Sequence, residues 1–279
     1  MWLYDFHLFY LAGQAVLAGV SPYTIPDFNP PYPLAMLFAT IAWMPEPLAY
    51  MVYLLSILWL MWKAMGKRFI WPLLSFPVWF NLFVGQIDLL LGLLAGLLGP
   101  WALPIMLIKP QVGLVVAPWI IRRTEWKRLA YVALLGCGFL ALSILMRPTW
   151  VSEWLSVTPS FTQYALRDSN LYWLIPTSFK TIALAIGVLV ALPIGFWITK
   201  RRDSWIVLHL FAPLTNIYSV SILAEWIGPL EAILSWLVIL FVGTIHSGAP
   251  MFIVVLSILV RSGVQALIAR QETATTTTS

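Results

Sequence analysis

Residues 79–99 read "WFNLFVGQIDLLLGLLAGLLG", and this apolar stretch indicates a helix of a helical bundle. Small and polar residues recur along it at spacings of three and four, namely Asn81, Gly85, Asp88, Gly92, Gly96 and Gly99. This spacing predicts one helix face on which small residues let a second helix approach closely. Asp88 on that face would point into a bundle, because an intramembrane carboxylate facing lipid is costly. The alternative is a helix broken at "GQ", which would leave Asp88 at a junction in interfacial water.

The rest of the chain is equally apolar. Of its 279 residues, 61% are hydrophobic and 10% are charged, whereas ordinary soluble domains carry about 25% charged residues. Long apolar runs cover residues 47–62, 129–146 and 181–198, and about 20 such residues span the hydrocarbon core of a bilayer. We therefore predict an all-α, polytopic transmembrane bundle, and we exclude a large soluble core because too few polar residues could cover it.

The net charge of +5 comes from basic residues in short clusters between the apolar runs. These clusters are Lys63/Lys67/Arg68, Arg122/Arg123/Lys127/Arg128 and Lys200/Arg201/Arg202. Clustering of this kind indicates cytoplasmic loops better than it indicates a nucleic-acid partner. Residues 47–62 are then predicted to cross inward and residues 129–146 outward. Residues 147–170 form an outer loop, and residues 179–199 cross back.

One membrane domain is predicted over residues 1–268, followed by a low-complexity, disordered tail at residues 269–279. Within it, residues 1–46 form an outer-side amphipathic helix and loop, and residues 47–268 form the transmembrane bundle. No apolar segment precedes Asp5 to carry it to the outer side. Either residues 1–20 span the membrane themselves or a first transmembrane helix is missing from this sequence, and we favour the second.

The opening stretch "LYDFHLFYLAGQAVLAGVSPY" (residues 3–23) sets a carboxylate and an imidazole among aromatic residues. Its apolar helix face is predicted to consist of Leu3, Phe6, Tyr10 and Leu17. Asp5 and His7 lie about 200° apart around a helix and would not touch. The helix must end before "SPYTIPDFNPPYP", which holds five prolines in thirteen residues. Asp5 is either a functional group or simply a favourable charge at the helix N-terminus.

A second charged interruption is "IMLIKPQVGLVV", residues 105–116. Lys109 in the centre of a bilayer would cost roughly 2.5–3.5 kcal/mol on the insertion scale. Pro110 removes a backbone donor, and Gln111 adds a polar side chain. The stretch predicts a broken helix that presents a cation to an anionic ligand. Lys109 could instead reach an interface or neutralise Asp88.

The predicted outer loop continues as "RPTWVSEWLSVTPSFTQYALRDSNLYW", residues 147–173. Its mixture of aromatic and polar residues suits a carbohydrate, on which ring faces stack, and also suits any interfacial loop. The polar candidates are Arg147, Arg167, Asp168 and Asn170. The sequence contains no P-loop, GxGxxG, HExxH or CxxC motif, and the lone Cys137 supports neither a disulfide nor a zinc site. We predict no cofactor and no metal.

Four blocks in order, "DFHLFYLAGQAVLAGVSPY", "PPYP", "NLFVGQIDLLL" and "KPQ", resemble glycosyltransferase family 87 (the DUF2029 group). The resemblance covers roughly residues 5–240. Members of that family include mannosyltransferases of the bacterial envelope that use polyprenol-phosphate-mannose. The resemblance implies a GT-C architecture, with many transmembrane helices, a catalytic carboxylate in the first outer loop and a lipid-phosphate sugar donor.

By its position in the motif, Asp5 is similar to that carboxylate, and Lys109 matches the basic position of "KPQ". The segment "RDSNLYW" departs from the family's Asn-x-Ser-like stretch at "SNL". The stretches described above provide further candidates. For the donor and its phosphate these are Gln111, His7, Arg147 and Arg167, and for the substrate or the structure they are Tyr10, Tyr32, Asn81, Gln86, Asp88 and Asn170.

The predicted function is transfer of a mannose-like hexose or a pentose from polyprenyl phosphate to an envelope lipid or glycan, at the outer leaflet of a prokaryotic plasma membrane. Asp5 would be the general base, and Lys109, with Arg147 or Arg167, would stabilise the leaving phosphate. The predicted partners are the donor, the acceptor and membrane lipids, without nucleic acid. The alternatives are a transporter or lipid flippase using Asp88 and Lys109 as a coupled pair, and a non-catalytic assembly protein.

Overall fold

The computed structural model describes residues 3–165, 204–211, 217–242 and 251–277, and the single residues 179, 182, 186 and 189. Within these ranges the chain is helical and contains no strand, which confirms the all-α class. The α-helices are α1 (Tyr4–Leu17), α2 (Tyr32–Ala39), α3 (Glu46–Met65), α4 (Ile70–Leu74), α5 (Phe76–Val84), α6 (Asp88–Leu98), α7 (Leu103–Met106), α8 (Pro110–Arg123), α9 (Trp126–Met146), α10 (Trp150–Ala165), α11 (Ser204–Phe211), α12 (Pro229–Val242) and α13 (Phe252–Thr277). Short 3₁₀ segments cover Pro22–Thr24, Gly66–Phe69, Gly99–Ala102 and Ile217–Trp226.

Three stretches of the described chain are long and apolar enough to cross a membrane: Glu46–Leu74, Asp88–Met106 and Trp126–Met146. Helix α9 buries Val132 and Ser143 and leaves most of its apolar side chains exposed. Such a surface is stable against hydrocarbon, where apolar side chains are favoured. The chain is therefore a membrane protein, and two of these stretches coincide with the predicted crossings near residues 47–62 and 129–146.

Two segments differ from the prediction. The outer loop predicted at residues 147–170 contains the 16-residue helix α10. In its first part, Ser152 and Thr158 donate their hydroxyls to backbone carbonyls three and four residues earlier. Helix α13 runs to Thr277, so a helix continues into the tail that was predicted to be disordered. The predicted crossing at residues 179–199 lies outside the continuously described ranges.

Helix α1 packs closely on α2. A Cβ atom at Gly13 would lie 2.7 Å from the Phe38 carbonyl carbon, so only glycine permits this approach. Phe6 and Tyr10 are buried, as predicted for the apolar face, whereas Leu17 is 55% exposed at the helix end. The helix ends at Leu17, before the proline-rich segment, as predicted.

Residues 79–99 belong to two helices and not to one. Helix α5 ends at Val84 because Gly85 adopts a left-handed φ of 78°, and α6 begins at Asp88. A Cβ at Gly85 would also lie 2.3 Å from Phe6 Cβ, so this glycine lets α1 lie against the break. The continuous face was wrong and the break at "GQ" is confirmed, but Asp88 is fully buried and not at a hydrated junction. Close packing by a glycine is confirmed at Gly92, where a Cβ would lie 3.0 Å from the Ile222 backbone.

Candidate functional site

A cavity of about 380 Å³ lies where α1, the proline-rich loop, the break between α5 and α6, the start of α8, and α10 meet. Its volume falls within the range of about 300–1,000 Å³ that is typical of small-molecule sites. Its polar lining consists of Asp5, Asp27, Asn29, Gln86, Lys109, Gln111, Thr158 and Tyr218, and its apolar lining includes Leu8, Phe9, Leu34, Ile108, Leu114 and Trp154.

Asp5 enters this cavity from the first turn of α1. Burial raises the pKa of its carboxyl from 3.8 to about 6, against the opposing effects of a side-chain hydrogen bond with Gln86 and the charge of Lys109. Buried Asp88 adds a smaller raising effect. A carboxylate with this pKa is ionised at neutral pH and is basic enough to take a proton from a reacting hydroxyl.

Lys109 lies immediately before α8, at the position that Pro110 makes a helix start. Its ammonium pairs with the Asp88 carboxylate, donates to Gln86 Oε1 at 2.8 Å, and lies 5.1 Å from the centre of the Tyr218 ring. The Lys109 side chain is 13% exposed and that of Asp88 is fully buried. The predicted pairing of Lys109 with Asp88 is therefore confirmed.

Gln86 connects the two charged positions. Its side chain is hydrogen-bonded to Asp5 and accepts from Lys109, while its backbone carbonyl accepts from the Tyr53 hydroxyl. These contacts join four side chains in sequence, from the Asp5 carboxyl through the Gln86 amide and the Lys109 ammonium to the Asp88 carboxylate. Asp5 and Lys109 line the same cavity, although they are far apart in the sequence.

Several predicted residues lie elsewhere. His7 pairs with Glu46 at 2.8 Å and is not among the residues that line the cavity; its separation from Asp5 follows from their positions around the helix. Tyr10 donates to the Met44 carbonyl at 2.9 Å, which is a structural contact. Asn81 is fully buried, and neither polar atom of its side chain has a hydrogen-bond partner in the described part of the chain.

Of the remaining predicted residues, some line the cavity and others do not. Gln111 lines the cavity together with Lys109. Arg147 does not line the cavity and pairs with Glu153, because a carboxylate six residues later reaches its guanidinium. Tyr32 is buried and stacks on Trp150. The candidates Arg167, Asp168 and Asn170 lie outside the described residues.

The polar lining residues Asp27, Asn29, Thr158 and Tyr218 were not predicted from the sequence, and neither was Trp154. A signal existed for Asp27, because Asp and Asn tolerate left-handed backbone in turns, and Asp27 has a φ of 65° within the proline-rich loop. Its carboxylate accepts from the Tyr4 hydroxyl at 2.8 Å, and this hydrogen bond raises the pKa of Tyr4. No group of three or more His, Cys, Asp or Glu suited to a metal occurs among the described residues.

Helix α10 is fastened to the proline-rich loop by Glu153. The Glu153 carboxylate accepts two hydrogen bonds of 2.8 Å from Arg147. It also accepts one from Ser21 and one from Thr149, both at 2.5 Å. The bonds from Arg147 lower the pKa of Glu153 to about 2, against a smaller opposing effect of burial. This contribution to stability is present above the ordinary glutamate pKa and is lost as the pH falls toward 2. The fastening holds Trp154 at the wall of the cavity.

We predict that Glu153→Gln loosens α10 at neutral pH. The amide cannot accept the bidentate, charge-assisted bonds of Arg147, a loss of about 1 kcal/mol at this partly exposed position. Backbone amides of α10 should then exchange roughly fivefold faster, as measured by hydrogen–deuterium exchange and mass spectrometry. Ser152→Ala is the control, since that hydroxyl donates only to the Thr149 carbonyl of the same helix start. Equal exchange in both variants would contradict the fastening role.

Comparisons with protein-family models, with curated proteins and with solved structures gave no match to this chain.

Proposed function

We propose that the chain is a multi-pass GT-C-type glycosyltransferase of a prokaryotic plasma membrane, which transfers a mannose-like hexose or a pentose from polyprenyl phosphate to an envelope lipid or glycan. The observation that carries the proposal is that Asp5 and Lys109 line one cavity and are joined through Gln86. A general base and a cation are the two groups that such a transfer needs. The sugar and the lipid carrier are named from the resemblance of four sequence blocks to glycosyltransferase family 87.

In this mechanism the Asp5 carboxylate takes the proton of the acceptor hydroxyl while that oxygen attacks the anomeric carbon of the donor. The bond between the anomeric carbon and the phosphate oxygen breaks, and the phosphate leaves with the bonding electrons on its carrier lipid. Lys109 stabilises the developing charge. Its ammonium has three N–H donors, of which Asp88 and Gln86 occupy two, so one remains for the phosphate.

The test is a transfer assay in proteoliposomes with the purified chain, radiolabelled polyprenyl-phosphate mannose and a lipid extract of bacterial envelopes as the acceptor source. We expect labelled sugar to appear in the acceptor fraction. Because Asp5 must be ionised to act as a base, the rate should fall tenfold per pH unit below about pH 6 and level off above it. Absence of transfer at every pH contradicts the function, and a rate that is flat between pH 4.5 and 7.5 contradicts the role of Asp5.

The buried pair of Asp88 and Lys109 favours a second candidate, a transporter or flippase, because intramembrane ionisable pairs commonly mark ion or proton pathways. The same proteoliposomes distinguish the two functions. Uptake of labelled sugar that depends on a proton gradient, without a new covalent product, would favour transport over transfer.

A further inference from the structure

The lining of the cavity contains two groups of hydrogen-bonded residues. The first, which we call the Lys109 group, is Lys109 with Gln86, and Gln111, two residues after Lys109, also lines the cavity. The second is Asp27, Asn29 and Trp154, which we call the Asp27–Trp154 arc. Asp5 links them, because its carboxyl is hydrogen-bonded to Gln86 and the preceding residue, Tyr4, donates to Asp27. The proposed mechanism uses the Lys109 group and Asp5 and leaves the arc unassigned.

The arc is held together by a continuous set of hydrogen bonds. The Asn29 side-chain amide donates to the Asp27 carbonyl at 2.9 Å, and the Trp154 indole N–H donates to the Asn29 carbonyl at 2.9 Å. Tyr4 donates to one carboxylate oxygen of Asp27 at 2.8 Å. With its N–H occupied, Trp154 can offer a ligand only ring surface. A carboxylate has room for further donors, because each of its oxygens can accept more than one hydrogen bond.

The charges of the cavity exclude a phosphate from the arc. Among the described lining residues, Asp5 and Asp27 are acidic and Lys109 is the single cation. Lys109 donates to Gln86 and pairs with Asp88, so its charge belongs to the other group of lining residues. An anion placed beside Asp27 would meet the like charge of the Asp27 carboxylate. A neutral ligand rich in hydroxyl groups would instead donate to Asp27 and lay an apolar ring face on Trp154.

We propose that the Asp27–Trp154 arc binds the uncharged saccharide portion of the acceptor, and that the Lys109 group is left for the phosphate of the donor. This assignment rests on the proposed function. It places the acceptor hydroxyl beside Asp5, the residue that links the two groups and that is needed there as the general base. It also makes Asp27 and Trp154 determinants of acceptor specificity that do not contribute to the departure of the phosphate.

The test measures binding separately from activity. The purified full chain in detergent is titrated with methyl α-D-mannopyranoside, an uncharged glycoside, and saturation-transfer NMR reports the occupancy. We expect Asp27→Asn and Trp154→Ala each to weaken binding at least about fivefold, from the lost charged hydrogen bond and the lost ring face. Trp154→Phe keeps a ring and should bind within about threefold of the wild type. Trp43→Ala is the control, because Trp43 is 70% exposed and does not line the cavity.

The two proposals can fail separately. No binding of the glycoside, binding unchanged in both Asp27→Asn and Trp154→Ala, or displacement of the glycoside by equimolar inorganic phosphate would each overturn the assignment of the arc. If the glycoside binds in the expected pattern while the transfer assay gives no product, the arc stands as a saccharide-binding site, and both the transferase function and the assignment of the arc to an acceptor fail. If transfer occurs and both variants keep the wild-type KM for the acceptor extract, the function stands and the arc assignment fails.

Discussion

Replacing Asp5 with Asn is expected to lower the rate of sugar transfer by about 10²- to 10⁴-fold, the usual contribution of a positioned general base. Asparagine has nearly the same shape and can keep a hydrogen bond with Gln86, but it cannot accept a proton from the acceptor hydroxyl. The loss should therefore appear in kcat, with little change in the KM for the donor. The measurement is the proteoliposome assay at pH 7.5, where the wild-type carboxyl is ionised.

The stability of this variant separates catalysis from folding. Because the folded-state pKa of Asp5 is raised from 3.8 to about 6, its ionisation opposes folding, and this cost is fully present above pH 6 and absent below pH 3.8. Asparagine cannot ionise, so Asp5→Asn should have a Tm equal to or above that of the wild type at pH 7.5. A large loss of the transfer rate together with a retained Tm would show that Asp5 acts as the general base and is not needed for folding.

Glu125→Gln is the matched control, because it also exchanges a carboxylate for an amide, at an exposed position before α9 that does not line the cavity. Its rate should stay within about twofold of the wild type, as is usual for a surface substitution of this kind. Full turnover in Asp5→Asn would exclude Asp5 as the base. An equal loss of rate in both variants would point to a general effect of charge.

The class of fold could be predicted because it depends on composition and run length. A chain with so few charges cannot cover a soluble core, and the runs near residues 47–62 and 129–146 are long enough to cross hydrocarbon. The break at Gly85 could not be decided in the same way. Glycine suits a tight helix contact and a left-handed turn equally well, and only the structure shows that Gly85 provides both, with a φ of 78° and Phe6 packed against it.

The candidate site was predictable where a charge interrupts an apolar run. Asp5 and Lys109 are such interruptions, and burying an ionisable group requires a partner or a function. Their connection through Gln86 depends on the packing of α1 against the helix break, and the hydrophobic periodicity of the sequence does not predict this packing. Arg147 was assigned to the phosphate because the helix α10, which brings Glu153 to it, was not expected.

Asp27 shows a different limit. The prolines of the proline-rich loop predict irregular backbone, but they do not predict where its polar side chains lie. The loop forms part of the cavity wall because Ser21 donates a hydrogen bond to Glu153 of α10 and because Trp154 of α10 donates to the Asn29 carbonyl. These contacts join residues more than a hundred positions apart, so no local pattern predicts them.

Replacing Lys109 with Met is expected to destabilise the protein by about 3–5 kcal/mol, because it leaves the fully buried Asp88 carboxylate without its cation. One oxygen of Asp88 already has no hydrogen-bond partner among the described residues, so the carboxylate has little other support. Methionine fills a similar volume, and the loss therefore reports the charge and not a cavity. Thermal unfolding in detergent, compared with the wild type, gives the difference.

Two further variants decide whether the pairing itself is responsible. Lys63→Met removes an exposed lysine that lies over the Trp59 and Trp62 rings, and it should cost at most about 1 kcal/mol. Adding Asp88→Asn to Lys109→Met removes the buried charge and should recover most of the lost stability, because eliminating both members of a buried pair is commonly close to neutral. A double variant no more stable than Lys109→Met would show that the ammonium acts through Gln86 and Tyr218 and not through Asp88.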